Sequence, residues 1–226
     1  MRIYLIRHGK TPGNQLNRYI GITDEPVLEE DQEQLKKQNY PKAERLFVSP
    51  LLRCRQTAAC IYPGQEQQVI QNLRECDFGR FENKNWKEMT GDAEYQAWVD
   101  SNATLPFPGG EDPQEFRDRA CQGFLEGLKL CAEDGTESVA FVVHGGIIMA
   151  VLERFADRKK AFYEWHVGNG EGYEAEADPA AWSDASGQQP VLRVLNPIQM
   201  TKKQTRRPME QNREPEIKPH TYNHLT

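Results

Sequence analysis

The chain has no apolar run long enough to cross a bilayer. Its most apolar stretch, Val139 to Leu152, is broken by His144-Gly145-Gly146, whereas a spanning helix needs roughly 20 apolar residues in succession. It has no basic excess either. Its net charge is −6 over 226 residues, which gives no support for nucleic acid as a partner. The five cysteines (Cys54, Cys60, Cys76, Cys121, Cys131) form no CxxC pair and no zinc spacing, so they read as free thiols in a reducing compartment. No signal peptide is visible, because the first apolar run is short and ends at Arg7-His8. No internal repeat stands out. These absences leave a cytoplasmic globular protein that needs no membrane, and the length is enough for one substantial domain. Homodimerisation stays open at this stage.

What is present is concentrated in the first fourteen residues, MRIYLIRHGKTPGN. Ile3-Tyr4-Leu5-Ile6 reads as a buried strand. Gly9 and Pro12-Gly13 supply turn chemistry. Arg7 and His8 therefore stand where a central strand ends, and the carboxyl edge of an open α/β sheet is where ligands bind.

Further strands are expected at Leu46–Val48, Val69–Ile70 and Ser138–Val143, with peripheral ones at Phe162–Val167, Gly172–Ala177 and Val191–Leu195. Ser49-Pro50 is expected to open a helix that runs to about Ile61, with Ser49 as its cap. Leu28 to Gln38 is rich in Glu, Gln and Lys and reads as an exposed helix. Glu82 to Asn102 reads as a broken helical stretch anchored by Trp86, Met89, Tyr95 and Trp98. Asp112-Pro113 caps a long amphipathic helix to about Glu133. Gly145 to about Phe155 follows as a helix. Strands alternating with helices imply a mostly parallel sheet covered on both faces.

Four stretches carry a resemblance: Arg7-His8-Gly9, Ser49-Pro50-Leu51-Leu52-Arg53 with Gln56-Thr57-Ala58, Leu73-Arg74-Glu75 with Phe78-Gly79, and Val142-Val143-His144-Gly145-Gly146. In this order they resemble the histidine phosphatase superfamily, the phosphoglycerate-mutase-like enzymes, over Met1 to about Leu195. The resemblance implies a three-layer α/β/α sandwich with the His8 and His144 strands side by side. It divides the chain into a catalytic domain, residues 1–195, and a polar tail, residues 196–226, too poor in aliphatics to offset its ordering entropy.

The residues suit phosphoryl transfer, which needs a cradle of positive charge and a group at each end of the transferred phosphoryl. Arg7 and Arg53 supply planar donors that match phosphate oxygens. His8 fits the nucleophile. Two guanidinium groups beside it disfavour the imidazolium and leave a ring nitrogen free to attack. His144 and the Gly145 amide read as further phosphate donors. Glu75 is the candidate proton carrier for the leaving alkoxide and the attacking water. The resemblance adds Asn14 as a phosphate contact and Thr11 at its small-hydroxyl position. Arg55 belongs on the solvent side of its helix, and Arg74 and Arg80 are placed at the mouth.

The implied activity is hydrolysis of a small phosphorylated metabolite, releasing inorganic phosphate through a phosphohistidine, with no metal and no cofactor. Pro108-Gly109-Gly110-Glu111 agrees with the branch that contains α-ribazole phosphatase, so α-ribazole 5'-phosphate is the named substrate candidate. Ile20-Gly21 and the short span from Glu75 to Pro108 weigh against the alternative, a phosphoglycerate mutase. A non-catalytic phospho-ligand binding protein is the alternative of another class. Two departures from the family stand out. The Thr and Gly usual near the second helix are missing from Pro26-Val27-Leu28-Glu29-Glu30-Asp31, and Glu82-Asn83 stands where Glu-Gly is usual.

Overall fold

The computed structural model describes residues 1–101, 103–178 and 189–201. Among these residues six strands form one sheet in the order β3-β2-β4-β1-β5-β6. They are β1 (Arg2–Arg7), β2 (Arg45–Val48), β3 (Gln68–Val69), β4 (Ser138–Val143), β5 (Gly172–Glu176) and β6 (Arg193–Ile198). The first four run parallel, and β5 and β6 add antiparallel to the β1 edge. β1 and β4 pair in register, Arg7 opposite Val143. His8 and His144 therefore leave the sheet together, and their rings meet edge to face at 5.2 Å.

The period of two along each strand sorts side chains into two cores. Ile3, Leu5, Phe47, Val139, Phe141 and Val143 face one way, toward α5 (Pro113–Asp134) and α6 (Gly145–Phe155). Tyr4, Ile6, Leu46, Val48, Ala140 and Val142 face the other, with Cys54 and Ala58 of α3 (Leu52–Ile61). Both faces are covered, which is why these strands read as unbroken apolar runs. The short α1 (Pro12–Gln15) follows the first turn, and α2 (Glu29–Leu35) lies on the α3 side.

α5 begins as its sequence predicts. The Asp112 carboxylate accepts from the Gln114 and Glu115 amides, Pro113 takes the first turn, and Gly135 ends the helix at φ +74°. α2 shows the effect of its missing Thr. Leu28 stands at its N-cap with no side-chain bond, and Glu29, Glu30 and Asp31 crowd the first turn instead.

Four expectations change. Phe162–Trp165 is a 3-10 turn, not a strand. The Glu164 carboxylate accepts from the Ala161 amide at 2.7 Å, and the three-residue repeat buries Phe162 and Trp165 together. α3 starts at Leu52 rather than Pro50, because Asp24 Oδ1 accepts from the Leu52 amide at 2.7 Å while Ser49 is used elsewhere. Among the described residues from Glu82 to Ser101 only α4 (Ala93–Asp100) is α-helical, capped by Asp92, and the supposed anchor Trp86 is 41% exposed. The last strand runs on to Ile198, past the boundary expected at 195. The tail from residue 202 onward lies outside the described residues. Among the described residues no helix is long and apolar enough to cross a membrane.

Candidate active site

The site forms at the carboxyl ends of β1, β2 and β4. The His8 Nδ1 lies 2.7 Å from the Gly9 carbonyl oxygen. A carbonyl can only accept, so Nδ1 carries the proton and Nε2 keeps the lone pair. Burial, then Arg53 and Arg7, hold His8 well below the usual imidazole range. The direction matches expectation, but burial rather than the guanidiniums is the larger cause.

Arg7 donates to the Val167 carbonyl at 2.8 Å, and burial draws its pKa down to about 10. It therefore remains charged at neutral pH. Arg53 is 0% exposed and donates to the carbonyls of Thr23 (2.9 Å), Gly21 (2.8 Å) and Ile20 (3.3 Å). The Nε atoms of both arginines are buried and have no hydrogen-bond partner. Two buried cations with unpaired donors are costly in a protein interior unless an anion joins them.

Glu75 is 8% exposed. Its oxygens accept from the Cys76 amide at 3.0 Å and the Gly146 amide at 3.2 Å. Burial pushes its pKa above the ordinary carboxylate range, against those amides and the two arginines. The fully buried His144 has Nε2 2.7 Å from Ser49 Oγ, which already accepts from the Leu51 amide. This is what draws Ser49 away from capping α3. The Ser49 bond fixes the orientation of the His144 ring. Gly145 packs a residue-free flank against Arg7, whose Nε would lie 3.4 Å from any added Cβ.

Asn14 Oδ1 accepts from the Thr11 amide at 3.3 Å and from Asn169 Nδ2 at 3.1 Å, which leaves its own NH2 as a donor. Thr11 caps α1 and is fully buried. All seven residues expected at the site, Arg7, His8, Asn14, Arg53, Glu75, His144 and Gly145, are buried. The charges of Arg7 and Arg53 reach His8, Glu75 and His144 alike. Arg55 is exposed, as expected. Arg74 and Arg80 do not line the cavity that opens beside Arg7 and Glu75, whereas Arg117 does; Arg80 pairs with Glu94 at the surface.

Three supporting residues escape a reading of the sequence. Asn169 also donates to the His8 carbonyl at 3.2 Å, and no local pattern marks it. Arg119 pairs with Glu111 and donates to the carbonyls of Asn72, Arg74 and Glu75, clamping the segment that carries the acid. Glu82 accepts from the amides of Gly21, Ile22 and Phe78 and from the Thr23 hydroxyl. It thereby holds the loop whose carbonyls hold Arg53. Asn83 beside it adopts φ +57°, a left-handed conformation that asparagine tolerates, so replacing the usual glycine leaves the loop intact. Glu82→Ala is expected to cost about 2 kcal/mol and to lower Tm by on the order of 4–8 °C. An unchanged melting curve would show that the loop does not depend on it. Among the described residues no group of His, Cys, Asp and Glu is arranged to hold a metal ion.

The description of the histidine phosphatase superfamily, branch 1, matches residues 3–186. An adenosylcobalamin/α-ribazole phosphatase of Salmonella typhimurium is 29% identical over 174 residues, covering 74% of this chain and 84% of that one. A probable phosphoglycerate mutase of Serratia proteamaculans is 31% identical over 160 residues, covering 67% and 73%. The crystal structure of the α-ribazole phosphatase from Shigella flexneri superposes with a TM-score of 0.69 at 26% identity, covering 87% and 96%. With the two histidines leaving adjacent parallel strands between buried arginines, the chain belongs to the histidine phosphatase superfamily, branch 1.

Proposed function

We propose that His8 is the nucleophile, Glu75 the acid and base, and Arg7, Arg53, Asn14, His144 and the Gly145 amide the phosphate cradle of a phosphomonoesterase. The observation that carries this is the pairing of a free His8 Nε2 with two buried guanidiniums whose Nε atoms are unpartnered. In the first step Nε2 bonds to phosphorus as the ester P–O bond breaks. Glu75 gives its proton to the departing alkoxide. In the second step water attacks phosphorus, Glu75 takes the water's proton, the P–N bond breaks and inorganic phosphate leaves. One carboxyl group serves both steps, and splitting the reaction makes each barrier easier.

α-Ribazole 5'-phosphate is the specific substrate this reading favours, since relatives of that name match over most of their length. Five free thiols support a reducing, cytoplasmic setting. The mutase reading draws on the Serratia relative. It differs in one respect, returning the phosphoryl to substrate instead of water. The test is phosphate release from a panel of esters that includes α-ribazole phosphate, sugar phosphates and phosphoglycerates, with EDTA present, with and without a bisphosphate primer. Release without a primer, preferring α-ribazole phosphate, is expected. Primer-dependent isomerisation without phosphate release would establish the mutase, and loss of activity in EDTA restored by a divalent metal would overturn cofactor independence.

A further inference from the structure

Residues 166–171, between the Phe162–Trp165 turn and β5, wrap the end of β1. The Glu171 carbonyl accepts from the Arg7 amide at 2.8 Å, and the Gly170 amide lies 3.1 Å from both the Arg7 and the His8 carbonyl oxygens. Those bonds hold backbone. Two others hold the Arg7 side chain. Its Nη1 donates to the Val167 carbonyl at 2.8 Å and lies 3.3 Å from His166 Nε2. A guanidinium can only donate, so Nε2 is the acceptor and the His166 proton sits on Nδ1.

With one acceptor on Nη1 the planar guanidinium could still turn about that bond. Two acceptors, one for each Nη1 proton, fix its plane. The Arg7 Nε, buried and without a hydrogen-bond partner, is then left in a set direction for an anion. The second acceptor exists only while His166 is neutral. Imidazole is the side chain that ordinarily changes charge between about pH 5 and 8, whereas Arg7, drawn down by burial to about 10, stays charged there. A protonated His166 would turn an N–H and a second positive charge toward Arg7 in place of a lone pair. Among the described residues, the titratable and charged groups that line the cavity beside it are Arg7, Glu75, Cys76, Arg117 of α5 and Tyr163 of its own turn. Glu171, on its own segment, accepts from the Gly168 amide at 3.1 Å. Glu75, with its raised pKa, also gains a proton on the way to acid pH.

We propose that His166 is a positioning residue for phosphoryl transfer: neutral, it locks the Arg7 guanidinium into the phosphate cradle, and protonated, it releases it. The assignment rests on the phosphatase reading of the site.

The test follows kcat/KM for p-nitrophenyl phosphate between about pH 8 and 5 in the wild type, His166→Gln and His166→Phe. This ester makes little use of the Glu75 proton, and its own ionisation cancels in the ratio of two enzymes. A glutamine oxygen can accept where Nε2 does and does not titrate, so His166→Gln is expected to lie within about threefold of the wild type at alkaline pH. The wild-type-to-glutamine ratio should then fall about tenfold toward acid pH, as only the wild type loses its acceptor. His166→Phe keeps a ring without an acceptor and should be about tenfold slower than the wild type at alkaline pH, the worth of one hydrogen bond to a charged group. A ratio to glutamine that stays flat, or that rises on acidification because the imidazolium helps to hold the ester, would overturn this proposal alone. So would a folded His166→Phe as active as the wild type at alkaline pH; if that variant melts, the glutamine profile decides. No turnover by the wild type at any pH would overturn the phosphatase reading and this proposal with it.

Discussion

His8→Ala is expected to abolish turnover, a loss of at least ~10³-fold in kcat, while the protein stays folded by circular dichroism. The reason is geometric. In the proposed mechanism Nε2 of His8 is the attacking atom: Nδ1 is committed to the Gly9 carbonyl, and burial and two guanidiniums oppose protonation of the ring. Its depressed pKa means that acidifying from neutral pH does not remove the lone pair until well below the usual imidazole range. Rapid acid quench with labelled substrate should trap acid-labile phosphate on the wild type and none on the variant. Near-normal turnover by the variant would sink the mechanism. A wild type that binds phosphate tightly but never becomes labelled would favour the phospho-ligand binding protein instead.

That experiment depends on the cradle surviving the substitution, and the structure says why it should. Arg53 is held by backbone carbonyls of residues 20, 21 and 23, and Arg7 by the Val167 carbonyl, none of which passes through the His8 ring. His8's own backbone is fixed by the hydrogen bond its N–H donates to the Val143 carbonyl and by the one its carbonyl accepts from Asn169. Truncating the side chain removes a reactant and leaves those bonds in place.

How far the sequence reveals this site follows from how local each feature is. Ile3 to Ile6 and Val139 to Val143 announce themselves because both faces of the sheet are covered, so every position is apolar. The histidines are legible because they stop those runs. Glu75 needs the family's motif, since a lone buried glutamate looks like a surface one. Asn169 is illegible for a different reason: its partners His8 and Asn14 are 161 and 155 residues away, and only the fold brings them together. Phe162 to Val167 misleads because a short aromatic run suits a strand or a tight turn equally; the Glu164 carboxylate on the Ala161 amide decides it. Ser49-Pro50 misleads because Ser49 has a better use, its bond to His144.

Glu75→Gln separates the two halves of the proton chemistry. The carboxyl group must be protonated to act as acid, and burial raises its pKa above the ordinary carboxylate value, so the acid form persists to higher pH than a surface glutamate would allow. Since kcat/KM reports only as far as the first irreversible step, phosphoryl transfer to His8, it should fall as pH rises through that raised pKa for an alkyl ester. Gln has no proton to give at any pH and should flatten this limb. For the alkyl ester the loss in kcat/KM at the wild-type optimum is expected to be on the order of 10²–10⁴-fold, the usual worth of a positioned acid. For p-nitrophenyl phosphate, whose leaving phenolate needs little protonation, the same quantity should fall by less than about tenfold. The variant's kcat should suffer with both esters, because the water that attacks phosphohistidine still needs a base. Burst kinetics with p-nitrophenyl phosphate should then appear: a rapid release of p-nitrophenolate equal to the enzyme, followed by slow turnover. Equal losses in kcat/KM on the two esters, with the alkaline limb retained, would mean that another group protonates the leaving alkoxide and that Glu75, despite its burial beside Arg7 and Arg53, acts only through its charge.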